Sequence, residues 1–214
     1  MNRNSAVGGT WHNGNWNFVF IGCENAPESH CTNSGGLPAT TIYETPTIAE
    51  KPYITFDGSR YWLQVPNYET NKKGTTPGYN NAKAVDFSNV YVATESDSAA
   101  TINAKLDAGL HLVLSPGIYN LDDSIRVNNS HTVVLGLGFA TLVSATGKPC
   151  MIVGDVDGVR VASILFQAGS DNSSSLLQWG TVFYSGDYSA PGVLTDIFAR
   201  VGGTNNPNDW QART

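Results

Sequence analysis

The sequence predicts an all-β protein whose second half winds as a parallel β-helix, and three observations carry that expectation. Gly, Asn, Thr and Ser make up more than a third of the 214 residues, which is turn chemistry with few strong helix formers between the turns. From His111 onward the chain is a succession of short apolar or alternating runs, each ended by Gly, Asn, Asp or Pro. Those runs also recur at constant phase. Moving the segment around Val161 forward by 33 residues places Val161 on Leu194, Ile164 on Ile197, Leu165 on Phe198 and Gly169 on Gly202. Moving it back by 27 places Val161 on Val134 and Ile164 on Leu137, and a further 22 brings Val134 onto Leu112. A period that varies only through its loops is the mark of a solenoid. Strands at intervals of about 8 to 12 residues also suit an antiparallel sandwich, but constant phase favours stacked coils.

Taken in order, residues 1–85 read as an irregular β annex. Trp16–Ile21 alternates as a strand does. Pro52–Phe56 and Tyr61–Val65 flank Asp57-Gly58-Ser59-Arg60 as a hairpin. The polar stretch 67–83 reads as a surface excursion or linker. Residues 86–214 are assigned to the β-helix, opened by a helix over 96–109. Ser96 or Asp97 caps its first amides, Ile102 and Leu106 fall on one face, and Gly109 supplies a left-handed exit. The strands that follow are expected at 111–114, 124–127, 132–135, 140–143, 151–153, 159–161, 164–166, 176–177 and 194–198.

Composition limits the function. At about 150 residues per domain, the length fits one large domain, or one with a smaller annex. Only 14% of residues are charged and the net charge is -6, so no basic stripe exists to displace counterions from a nucleic acid. No apolar run approaches the ~20 residues of a membrane span. Neutral polar groups in place of charges suit a secreted protein, and because Met1–Ser5 carries no apolar run, any signal peptide is expected to have been removed. Cys23 and Cys31 lie in a Gly-, Asn- and Pro-rich loop and are read as a disulfide, with Cys150 a buried free thiol. The weaker alternative is a zinc site built from His12, His30 and the two loop cysteines.

Asp86-Phe87, the helix through Ala100 and Ile102, and the run Gly109 to Leu121 with its Pro116-Gly117-Ile118-Tyr119 turn resemble the opening of right-handed parallel β-helix proteins of the pectate-lyase superfold. The continuation through Val134-Leu135-Gly136-Leu137-Gly138 and Asp155–Val161 is similar to large secreted microbial proteins of that superfold that are compared with exo-β-1,3-glucanases. The resemblance covers about residues 86–203. It implies a right-handed helix whose short α-helix caps the barrel, and a carbohydrate substrate. Helices of this kind usually run to more coils than the four or five here, and the tail Thr204–Trp210 has no apolar period. A fragment, or a chain completed by a partner or oligomer, is therefore expected.

The chemistry expected is hydrolysis of a neutral polysaccharide such as a β-glucan. Two carboxyls are needed, about 5–5.5 Å apart for retention or 6.5–9.5 Å for inversion. No Glu follows Glu95, so aspartates must serve. Asp155 and Asp157, one residue apart on an extended segment, point to one side and suit an acid and base pair or part of a calcium site, although Asp-x-Asp-Gly is also ordinary turn chemistry. Asp196 is the third candidate, at the position of Ser163 one coil earlier. Lyase chemistry would need a strong base, and Arg126, Arg160 and Arg200 are the only basic strand residues. Sugar rings require aromatic faces and planar polar groups, which Trp179, Gln178, Phe183, Tyr184, Asp187 and Tyr188 supply in one loop. No cofactor is expected apart from that calcium. The rival classes are a non-catalytic glycan-binding or structural solenoid, and a fragment lacking its active coils.

Overall fold

The computed structural model describes residues 19–29, 38–75 and 81–201. The chain divides into two compact units, Met1–Glu50 with Pro66–Ala82, and Lys51–Val65 with Lys83–Thr214.

In the first unit β1 (Val19–Ile21) and β2 (Thr40–Ile42) form a parallel pair, and β3 (Thr45–Ala49) pairs antiparallel with a strand at Tyr68–Lys72. That last strand corrects the reading of 67–83 as a linker. Tyr68-Glu69-Thr70-Asn71-Lys72 carries no apolar alternation to announce it and is held by its ladder to Thr45–Ala49.

The second unit begins with β4 (Tyr53–Phe56) and β5 (Tyr61–Pro66), the expected hairpin, in register Phe56↔Tyr61 and Tyr53↔Gln64. With β6 (Tyr68–Lys72) assigned above, β7 (Ala82–Asp86) follows and completes a three-stranded sheet ordered β4-β5-β7. By sequence the hairpin belongs to the annex. In the structure Leu63 is buried with Val90, Val113, Val133, Leu135 and Ala162, flanked by Ile54, Val65, Val85 and Phe87. This sheet covers the outer face of the β-helix strands, which explains why Val133-Val134-Leu135 reads as a continuous apolar run: both of its faces are dry.

The β-helix itself comprises β8 (Val90–Ala93), α1 (Ala99–Asp107), β9 (His111–Leu114), β10 (Ile118–Leu121), β11 (Ile125–Val127), β12 (Val133–Ser144), β13 (Met151–Val153), β14 (Arg160–Ala168), β15 (Leu177–Trp179) and β16 (Val193–Arg200). All its pairings are parallel. One sheet runs β16-β14-β12-β9-β8 with β10 on the second half of β12, and another runs β11-β13-β15. This is the short parallel β-helix expected. Its interior is a set of stacked columns: Leu112, Val134, Val161 and Leu194; Tyr119, Leu142 and Phe166; Ile125, Met151 and Leu177; Val127, Val153 and Trp179. The repeat reading holds for Val161 on Leu194, Val134 and Leu112, while Gly202 lies outside the described residues. It holds as well for Ile164 on Ile197 and Leu165 on Phe198, and fails only for Ile164 on Leu137, because Ile164 pairs with Ala140 where the register of β12 shifts between Leu135 and Ala140.

Helix α1 is shorter than 96–109 and is capped by Ser98, whose Oγ accepts from Thr101 N, not by Ser96 or Asp97. Asp97 is spent one turn earlier, where its carboxylate accepts from Thr94 N at 2.8 Å. Gly109 takes the expected left-handed exit (φ +85°). Ile102 and Leu106 join the barrel interior, and buried Asn103 completes the seal. Its Nδ2 donates to Ser124 O and its Oδ1 accepts from Arg126 N, so the open edge of β11 meets a side-chain amide instead of water. Among the described residues no helix is long and apolar enough to cross a membrane.

Candidate functional site

Two sides of the β-helix carry the candidate residues. The first is the turn between β13 and β14 together with the longer loop between β15 and β16, one rung above it. Asp155 and Asp157 lie on bends rather than on the extended segment expected, and both are met by that loop. Asp155 Oδ1 accepts from Thr181 N at 2.8 Å and Oδ2 from Thr181 Oγ1 at 2.9 Å. Asp157 Oδ1 accepts from Asp187 N at 2.8 Å, and a hydrogen bond with Asp157 pushes the Tyr184 hydroxyl up to about 12. Asp187 in turn accepts from the amide and hydroxyl of Ser189, which hold its carboxyl below the usual range, with a smaller contribution from the imidazole of His131. The acidic turn thus fastens the loop above it, and no group of three or more His, Cys, Asp or Glu side chains among the described residues is placed to hold a metal.

What the fastened loop presents is aromatic. Phe183 is 94% and Tyr188 96% exposed, with Val182 beside them; Gln178 is exposed on β15. Trp179 departs from the expected platform. It is half-buried, packs on the barrel interior at the top of the Val127–Val153 column, and sits so close over Gly192 that a Cβ there would lie 2.5 Å from the indole.

The second side is the corner that divides β12, β14 and β16. Phe139, Ser163 and Asp196 all have left-handed backbone (φ 55°, 57° and 52°) just before the paired residues Ala140, Ile164 and Ile197. Asp is one of the few side chains that adopts this conformation readily, so Asp196 has a local structural reason to be there. Its carboxylate accepts from Lys51 Nζ at 2.7 Å, with both side chains close to half-exposed. Beside it Phe139 and Phe198 pack edge to face at 5.3 Å, both open to solvent. Sequence reasoning misses Lys51 and this aromatic pair. Phe198 has a signal, since the repeat aligns it with Leu165 on the outward column, whereas Lys51 lies 145 residues from its partner and has none.

Of the remaining expectations, Cys23 is buried with a free thiol that donates to Ile21 O, while Cys31, His12, His30 and the tail 204–210 lie outside the described residues. Cys150 is buried, as expected for a small hydrophobe, and burial pushes its thiol up to about 12. Arg126 pairs with Asp123 at 2.7 Å.

Residues 90–211 match the LAM55 pectate lyase-like domain. The chain belongs to the LAM55 pectate-lyase-like family. It is 42% identical over 204 residues to an exo-β-1,3-glucanase of Streptomyces sp. (strain SirexAA-E / ActE), a match that covers 94% of this chain and 33% of the relative. The structure of sacteLam55A from Streptomyces sp. SirexAA-E superposes with a TM-score of 0.83 at 40% identity, over 94% of this chain and 36% of that one. A variant of sacteLam55A in complex with glucose gives a TM-score of 0.81. This LAM55 chain therefore spans about a third of the length of the curated relative it matches.

Proposed function

We propose that the protein of which this LAM55 chain is part hydrolyses β-1,3-glucan and that the β-helix supplies sugar-contacting surface. The observation that carries this reading is the 42% identity, across nearly all of the chain, to an exo-β-1,3-glucanase; the structural neighbour holding glucose supports a saccharide ligand. Tyr184, Asp187, Tyr188 and Gln178 form the binding platform, and Asp196 is the carboxylate proposed for the reaction, since its side chain and that of its partner Lys51 are both close to half-exposed. Asp155 and Asp157 serve it indirectly by fixing the platform. The calcium expected from the sequence is proposed at these same two turn carboxylates. Secretion is part of the same proposal and rests on the low charge and turn-rich composition.

The test is glucose release from soluble β-1,3-glucan by the protein and by Asp196→Asn. Asn keeps the left-handed backbone that Asp196 adopts, so loss of turnover without loss of stability assigns the carboxylate a chemical role, and unchanged turnover removes it. A second reading, glycan binding without hydrolysis by this chain, is favoured by the engagement of Asp155, Asp157 and Asp196 in contacts with Thr181, Asp187 and Lys51. Retained affinity for the glucan, lowered by Tyr188→Ala, with no glucose release at all decides for it.

A further inference from the structure

We infer that the outer face of the β4-β5-β7 sheet is a second saccharide site, which takes one glucosyl unit of a glucan chain and lies apart from both the corner and the loop platform. A cavity of about 300 Å³ opens on this face, lined by Thr55, Phe56, Asp57, Trp62, Gln64 and Ala84. Its size falls at the lower end of small-molecule sites, about 300–1,000 Å³, which suits a single ring. The inference rests on the β-glucan reading for the identity of the sugar.

The cavity follows from strand alternation. Leu63 on β5 points inward to the buried cluster, so Trp62 and Gln64 face outward, with Thr55 opposite Trp62 across the hairpin. Ala84 on β7 is too small to fill the space beside them. Trp62 is fixed on two sides: its Nε1 donates to Asp57 Oδ2 at 2.7 Å, and the guanidinium of Arg60 lies over the ring at 5.4 Å, itself anchored to Asp86 at 3.0 Å. An indole held this rigidly meets the C–H face of a sugar ring without losing side-chain freedom on binding. The polar groups around it are also set in advance. Gln64 Nε2 donates to Thr55 Oγ1 at 3.0 Å, which aims the amide oxygen and its second N–H elsewhere. Asp57 Oδ1 takes the amides of Ser59 and Arg60 and the hydroxyl of Ser59, while Oδ2 takes only the indole N–H and keeps room for a sugar hydroxyl. These donors hold the Asp57 carboxyl well below the usual carboxylate range, so acceptance by Asp57 persists in mildly acidic solution. An aromatic wall with one carboxylate and one amide, and with the guanidinium beside it already paired to Asp86, selects a neutral polyol over an anionic ligand.

The experiment is affinity electrophoresis of the full chain in gels containing soluble β-1,3-glucan, paired with glucose release from laminaritriose. Trp62→Ala, and independently Ala84→Leu, which fills the cavity while leaving every named contact in place, are expected to weaken retardation about tenfold with trisaccharide turnover unchanged. Full retardation of a folded Ala84→Leu protein overturns the inference, as does equal loss of retardation and trisaccharide turnover in both variants, which would put these residues in a single common site. A wild-type protein that is retarded by the glucan, loses that retardation in both variants and releases no glucose supports this site while refuting the hydrolytic reading.

Discussion

Two rungs of the same β-helix occupy equivalent positions and have opposite fates. In β14 the inward residues Val161, Ile164 and Phe166 are essentially inaccessible, whereas of their partners in β16 Leu194 is 48% exposed, Ala199 is exposed outright and Ile197 is only partly buried. In two of the three pairs, Val161 with Leu194 and Ile164 with Ile197, the residue types are comparable and the backbone pairing is the same. What differs is that β14 is sandwiched between β12 and β16, while no rung among the described residues lies beyond β16. In a solenoid, burial belongs to the neighbouring coil rather than to the side chain itself.

The largest test of that comparison is Gly136→Ala. A Cβ there would lie 2.2 Å from the carbonyl oxygen of Ser163 in the rung above, and backbone cannot yield as a side chain can. A loss on the order of 4 kcal/mol is expected in urea denaturation, at the severe end for single substitutions. Next comes the pair Ile164→Ala and Ile197→Ala. The first opens a cavity between two rungs and is expected to cost about 3 kcal/mol. The second removes a partly solvated side chain and is expected to cost about 1 kcal/mol. Equal costs by the same denaturation would break the comparison.

Cys150 sharpens it by pH. Its thiol is raised from 9.0 to about 12 by burial inside the stack, so its contribution to stability is fully present below about pH 9 and is lost as pH rises toward 12, because only the unfolded chain gives up the proton. Stability measured across that window is expected to decline less in Cys150→Ala than in the wild type. Smaller still, Asp155→Asn leaves the interior intact and loosens the loop above, to be read as faster proteolytic cleavage within 181–189 at unchanged thermal midpoint. The smallest effect is Lys51→Ala, since an exposed ion pair is worth about 0–1 kcal/mol; a thermal midpoint within experimental error of the wild type is the expected result.

Most of the β-helix was legible because aliphatic side chains must stack on aliphatic side chains, and the sequence repeats that requirement at Leu112, Val134, Val161 and Leu194. What was not legible lies where that requirement lapses. The Gly136–Phe139 bend inserts residues that never enter the interior, so Leu137 takes by sequence the phase that belongs to Ala140. Three capping residues in a row hide which one starts α1, and only the use of Asp97 by Thr94 decides for Ser98. The strand at Tyr68–Lys72 carries no core face at all. For the candidate site, period two does not apply to Asp155 and Asp157, which lie on bends, and what they meet depends on a loop 26 and 30 residues away. The cavity beside Trp62 is hidden in a different way: its hairpin is recognisable, yet its chemistry depends on the small side chain of Ala84 in a third strand.

The tethering of the loop after Trp179 by the turn beneath it has an evolutionary corollary. Since two carboxylates hold the excursion at Thr181 and Asp187, the stretch between these anchors is free to drift, lengthen or be exchanged without disturbing the register of any strand. Ligand preference in such a scaffold can change by editing a clamped segment, with the winding left untouched.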